Sequence, residues 1–140
     1  MRRTSLVRAS LCFLCASALA IGLPATVAPR LFYNDFPFVA GWVHLLPPYN
    51  QHLVTDVGGL YLGFSVVLGW AAWSLDPALV RAVSAGWLLT GVLHLAFHAT
   101  HLEHFGTGDA LGELASLALI VLPAGLALWG ALPAANAAPR

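Results

Sequence analysis

The chain has 140 residues, of which 59% are hydrophobic and 9% are charged, and its formal net charge at neutral pH is zero. Soluble domains carry about 25% charged residues, so this composition excludes an ordinary soluble protein. The 6 basic residues equal the 6 acidic ones and form no stripe, which argues against nucleic-acid binding. The length suits one unit, and we predict a single membrane domain over residues 1–140.

The first apolar run covers about residues 5–27, and about 20 apolar residues are enough to cross a bilayer. Its Arg2-Arg3 start also leaves open a cleaved signal peptide, although the run is longer than the apolar part of most such peptides. Cys12 and Cys15 lie inside this run. Their C-x-x-C spacing has no βαβ context here, so we expect them to pack as small apolar side chains.

The connection after this run, about residues 28–52, is rich in aromatic side chains. They are Phe32, Tyr33, Phe36, Phe38, Trp42 and Tyr49. Such side chains favour the interface between membrane and water. Two interpretations follow: an ordered external loop that lies across one end of the helices as a lid, or an interfacial anchor with no other role.

Three further apolar runs predict three more helices, at about residues 53–75, 77–101 and 109–132. Asp76-Pro77 forms a tight turn between the second and third helices, because proline suits a first helical turn. Asp109 is expected to be the N-cap of the fourth helix. Gly59 and Gly63 have the spacing of a close-packing helix face. The predicted fold class is an all-α bundle of four transmembrane helices.

Arginine placement predicts the orientation of this bundle in the cell membrane. With both termini inside, five of the arginines are cytoplasmic: Arg2, Arg3, Arg8, Arg81 and Arg140. Only Arg30 is then outside, which is the distribution that the positive-inside rule favours. We therefore predict a multi-pass membrane protein with an N-in and C-in topology and the lipid bilayer as its main partner.

Ligand-type side chains gather toward the outer ends of three helices in this orientation. The histidines are His44, His52, His94, His98, His101 and His104. Three pairs have a spacing of four residues, which places both members on one helix face. These pairs are His52 with Asp56, His94 with His98, and Asp109 with Glu113.

Depth along the helices brings some of these groups to one level. At about 1.5 Å of rise per residue, Asp56, His98 and Glu113 lie equally far from the middle of their spans, and His94 lies one turn deeper. Ionisable groups at such depth usually face the bundle interior and find partners. Imidazole and carboxylate together suit zinc, iron or copper, so the predicted metal ligands are His94, His98, Asp56 and Glu113.

The function that follows from this site is a redox or hydrolytic one, in which metal-bound water supplies the reactive group and Asp35 or His52 handles protons as catalytic residues. His52 and His101 are alternative ligands. Whether the protein is an enzyme stays open.

Three alternatives remain. A b-type haem could be held by His52 together with His94 or His98, or the protein could be a quinone-linked redox protein. The histidines and carboxylates could only bridge helices. The chain could also be an accessory subunit of a larger membrane complex, or it could form a homo-oligomer.

Several motifs resemble those of uncharacterised small membrane proteins of actinobacterial type. The motifs are Phe32-Tyr33-Asn34-Asp35-Phe36-Pro37, then Pro48-Tyr49-Asn50-Gln51-His52-Leu53 with Asp56-Val57-Gly58, and the H-x-x-x-H of His94 and His98. The resemblance covers about residues 30–115 and brings no established activity, but it places the matching polar residues of the group at Asp35, Tyr49, Asn50, His52, Asp56, His94 and His98. Gln51 departs from the acidic residue of that group. More loosely, the layout is similar to the DoxX-like superfamily of four-helix membrane proteins.

Overall fold

The computed structural model describes residues 2–133, and within them the chain is all-α. Arg140 and the rest of the tail lie outside these residues. The described helices are α1 (Arg2–Val27), α2 (Pro29–Asp35), α3 (Gln51–Ser74), α4 (Pro77–Ala99) and α5 (Thr107–Ala131). Four of them, α1, α3, α4 and α5, are long and apolar enough to cross a membrane. The predicted all-α fold with four membrane-length helices is therefore confirmed.

The outer surface of these helices is apolar along most of its length. Leu60 is 65% exposed, Val66 is 70% exposed and Leu89 is 63% exposed, and all three lie in the long helices. Soluble monomers rarely show continuous apolar surface of this kind. The chain is thus a small multi-pass membrane protein. Its orientation in the bilayer stays a prediction.

Side-chain caps begin two of the long helices. The Asn50 carboxamide accepts a hydrogen bond from the Leu53 amide at 3.1 Å, and this contact starts α3. Asp76 accepts one from the Leu79 amide at 2.8 Å, and Pro77 follows as the first residue of α4. The prediction that Asp109 caps α5 is wrong. The cap is Gly106, and Asp109 lies within the first turn.

The long helices alternate in direction, so the bundle has two distinct ends. α1 packs against α3 and α5, and α4 packs against α5. Consecutive helices α3 and α4 touch much less, mainly through Tyr61 and Phe64, whose rings meet the edge of Trp87. We call the end where α1 begins the core end. The loop end carries the connections from α1 to α3 and from α4 to α5.

The apolar core occupies the core end. Leu11, Leu14 and Leu68 are completely buried there, together with Ala124 and Ala127 of α5. Arginine side chains close this end because they donate to carbonyl groups near the ends of helices. Arg3 donates to Trp129 and Leu132, Arg8 to Ala72, and Arg81 to Ala131. A cation near a helix C-terminus also interacts favourably with the helix dipole.

Glycine brings α1 and α3 close together nearer the loop end. A Cβ atom at Gly58 would lie 2.5 Å from the Thr26 hydroxyl and 2.8 Å from the Thr26 amide nitrogen, so no larger residue fits. Gly59 and Gly63, which the sequence pattern predicts to be the packing face, have no other heavy atom within 4 Å of such a Cβ. Within the chain, the close-packing glycine of α3 is therefore Gly58.

Candidate functional site

A buried histidine and a buried glutamate meet where α4 ends and α5 begins. His98 stands in the last turn of α4, and Glu113 lies in the second turn of α5. The short connection after α4 turns the chain back, and this turn brings the two side chains to the same level. His98 Nδ1 lies 2.7 Å from Glu113 Oε1, and the two side chains are only 9% and 8% exposed. The predicted meeting of these two residues is thus present in the structure.

This contact leaves polar atoms of the pair incompletely satisfied. The Nδ1 to Oε1 distance is that of an ion pair, but the ring N–H is poorly aligned with the oxygen and makes no hydrogen bond of good geometry. The second carboxylate oxygen of Glu113, Oε2, also has no hydrogen-bond partner among residues 2–133. Buried polar groups in this state are costly, so the pair adds little to stability through these atoms.

His94 extends the pair along α4. Its ring centroid lies 4.6 Å from that of His98, and the two rings are tilted by 53°. One turn of helix separates the two residues, which therefore share a face of α4. His94 is exposed, whereas His98 is buried. The three side chains thus run from His94, on the membrane-facing side of α4, to the buried carboxylate of Glu113.

Asp56, the fourth predicted metal ligand, pairs elsewhere. Its carboxylate lies 3.2 Å from His52 Nε2, one turn earlier on the same helix, and these side chains are 56% and 87% exposed. Among the described residues, no group of three or more histidine, cysteine, aspartate or glutamate side chains could hold a metal ion. For Asp56 the reason is helix packing, because the backbone of α3 packs against α1 and not against α5 in the described part of the chain.

The remaining predicted residues are not joined to the pair. Asp35 ends α2 and is half-buried, and in residues 2–133 no ion pair connects it to His98 or Glu113. His101 stacks on Phe97 with 4.0 Å between ring centroids, and its Nδ1 lies 2.8 Å from the Phe97 carbonyl oxygen. His101 therefore completes the end of α4.

The aromatic loop contacts the start of α5 through Trp42, which the sequence predicts only to be an interfacial aromatic residue. The Trp42 indole nitrogen donates to Asp109 Oδ1 at 3.0 Å, one turn before Glu113. Its ring also covers Gly112, where a Cβ atom would lie 3.1 Å from the indole carbons. The contact favours the lid interpretation of the loop. The only sequence signal was the spacing of Asp109 and Glu113, which puts both on one face of α5.

The rest of the loop is held by its own aromatic side chains. Tyr33 and Tyr49 have ring centroids 5.0 Å apart, and the Arg30 guanidinium lies 4.5 Å from the centre of the Tyr49 ring. Phe32 is buried and its ring lies 4.6 Å from that of Phe36. Trp42 is thus presented to α5 by a folded segment.

Comparisons with known proteins identify no family. No family model matches the chain, and no curated protein or solved structure matches it. The resemblance to small actinobacterial-type proteins and to the DoxX-like superfamily therefore stays an expectation. What stands is a small protein with four membrane-length apolar helices and a buried His98–Glu113 pair.

Proposed function

We propose that this small membrane protein works by proton exchange at the His98–Glu113 pair. One observation carries the proposal: two titratable side chains from different membrane-length helices lie 2.7 Å apart and are both almost fully buried. Ionisable residues within membrane spans are rare and commonly belong to ion or proton pathways. The alternative of a purely structural bridge accounts less well for the polar atoms that the pair leaves without good hydrogen bonds.

The pair can hold one proton without acquiring net charge. With the proton on Glu113, a neutral carboxylic acid faces a neutral imidazole, and with the proton on His98, an imidazolium faces a carboxylate. Both forms have zero net charge, which a medium of low dielectric constant favours over an isolated carboxylate. Loss of that proton leaves one buried negative charge. The site therefore suits binding and release of single protons.

His94 extends this site one turn toward the middle of the span. Its exposed ring is adjacent to His98, and an imidazole can accept a proton on one nitrogen while it donates from the other. A proton can therefore pass between His94 and Glu113 through His98. Trp42 covers the other approach, over the first two turns of α5. The roles predicted for Asp35 and His52 in proton handling stay predictions.

The experiment is an infrared titration of the carboxyl group in the reconstituted full-length protein. We expect a protonated-carboxyl C=O band in the wild type at neutral pH, where exposed carboxyl groups are ionised, and we expect this band to be absent in Glu113→Gln, because glutamine keeps the size of the side chain and cannot ionise. Asp56→Asn is the matched control, since Asp56 is largely exposed in its own pair with a histidine. A band that is absent in the wild type, or that survives Glu113→Gln, would remove the proposal.

Metal, haem and accessory-subunit functions remain separate predictions from the sequence. Elemental analysis of purified protein tests for zinc, iron or copper, and a Soret band in the visible spectrum tests for haem. Copurification tests for a membrane-complex partner or a second copy of the chain.

A further inference from the structure

A groove runs along the outside of the bundle at the core end, between α1 and α3. It is an open groove with about 650 Å³ of accessible space. Small residues create the space: Cys12 and Ala16 on α1, and Gly69 and Ala72 on α3. A Cβ atom at Gly69 would have only the Cys15 sulfur nearby, at 3.6 Å, so the groove is shallow-walled and apolar.

Arg8 places a positive charge in this apolar groove. Its Nε donates to the Ala72 carbonyl oxygen at 3.1 Å, which directs the guanidinium across the groove. Among the described residues, the two ion pairs that form both join a histidine to an acidic residue, so no carboxylate neutralises Arg8. Such an arginine is stabilised by backbone carbonyls or by a counter-charge, and an anion bound in the groove would supply the counter-charge that residues 2–133 do not.

Exposed tryptophans indicate where the groove opens in the bilayer. Trp73 lines the groove and is 75% exposed, and Trp70 lies beside it with 5.6 Å between ring centroids. Tryptophan is enriched where lipid head groups meet the hydrocarbon region. The arginine end of the groove therefore lies at head-group level, and its apolar part points toward the acyl chains.

We propose that this groove binds an anionic phospholipid of the surrounding bilayer. The Arg8 guanidinium contacts the phosphate, for which its planar donor geometry is well suited, and one acyl chain follows Cys12, Ala16 and Gly69. Basic pockets between membrane helices are known to select anionic head groups. A second copy of this chain would offer the Asp76 carboxylate at this end, but that side chain already caps α4 by accepting from the Leu79 amide, so charge favours the lipid.

The test is native mass spectrometry of the full-length protein in detergent, with equal amounts of dioleoyl phosphatidylglycerol and dioleoyl phosphatidylcholine added. We expect the wild type to retain phosphatidylglycerol preferentially, and Arg8→Gln to lower that preference about five-fold, the effect of one arginine near an anionic surface. Arg8→Lys should keep most of it. Arg30→Gln is the control, because Arg30 lies at the opposite end over Tyr49. Added inorganic phosphate should not displace the lipid.

A second variant tests the groove independently of the charge. Ala16→Phe fills the apolar channel and leaves Arg8 in place, and it should also reduce lipid retention, with helical content checked by circular dichroism. Equal retention of both lipids by the wild type, full preference in Arg8→Gln, or unchanged binding in Ala16→Phe would each overturn the proposal. An Arg8-dependent dimer in place of bound lipid would do the same. None of these outcomes bears on the His98–Glu113 pair at the loop end.

Discussion

The two ends of the bundle are built from opposite kinds of side chain. The core end buries Leu11, Leu14 and Leu68 completely, and its arginines lie at the periphery, where they donate to backbone carbonyls. The loop end buries His98 and Glu113, and both retain polar atoms without good hydrogen bonds. Apolar packing at one end holds the helices together, so the other end can tolerate an ionisable pair that adds little to stability.

Truncation of the apolar core should have the largest effect on stability. Leu14→Ala removes side-chain contacts at a site that is 0% exposed, and such changes typically cost about 2–5 kcal/mol in the free energy of unfolding. Leu23→Ala, on the same helix but 51% exposed, is the matched control and should cost much less. Denaturant unfolding in mixed micelles measures both. Similar losses for the two variants would contradict a core confined to this end.

The sequence predicts the long helices correctly because a membrane span needs about 20 apolar residues, and a run of that length can be recognised without knowledge of the fold. It also brought His98 and Glu113 to one level, because depth follows from the rise per residue. The depth of a residue along its helix does not specify which other helix that side chain contacts. Asp56 has the predicted level, but α3 packs against α1 and lies outside the reach of α5, so Asp56 pairs with His52.

The same limit applies to the glycines of α3. Gly59 and Gly63 have the expected spacing, but the structure puts Gly58 against Thr26. Spacing alone does not determine which of two neighbouring glycines faces another helix. Trp42 was also beyond sequence reasoning, because its contact with Asp109 depends on the path of a loop with little regular structure.

Gly58→Ala should have the second-largest effect on stability. The added methyl group would lie 2.5–2.8 Å from the hydroxyl and amide of Thr26, so α1 and α3 must separate, at a cost of about 1–3 kcal/mol. Gly59→Ala is the matched control one residue later, where the methyl group meets no other heavy atom within 4 Å. Thermal unfolding in detergent compares the variants. If Gly59→Ala were the more destabilising change, the glycine contact would lie between separate chains.

Loss of the Trp42 hydrogen bond should have the smallest effect on stability. We expect this effect to be confined to the start of α5. Trp42→Phe keeps an aromatic ring over Gly112 but removes the 3.0 Å bond to Asp109, which is worth about 0.5–1.5 kcal/mol. We expect faster amide hydrogen exchange in residues 107–113, because Trp42 lies over the start of α5, and no change in the core end. Trp70→Phe, 61% exposed and remote from α5, is the control.

Gly112→Ala should reproduce that local loosening without touching the hydrogen-bonding groups. Its methyl group would lie 3.1 Å from the indole carbons and displace the ring, whereas a methyl group at Gly108 meets no other heavy atom within 4 Å, which makes Gly108→Ala the matched control. If exchange near Glu113 rises in Trp42→Phe and Gly112→Ala alike, the loop is a lid over the buried pair. If neither variant changes it, the loop end is held by the α4–α5 packing alone, and the aromatic segment serves only as an anchor.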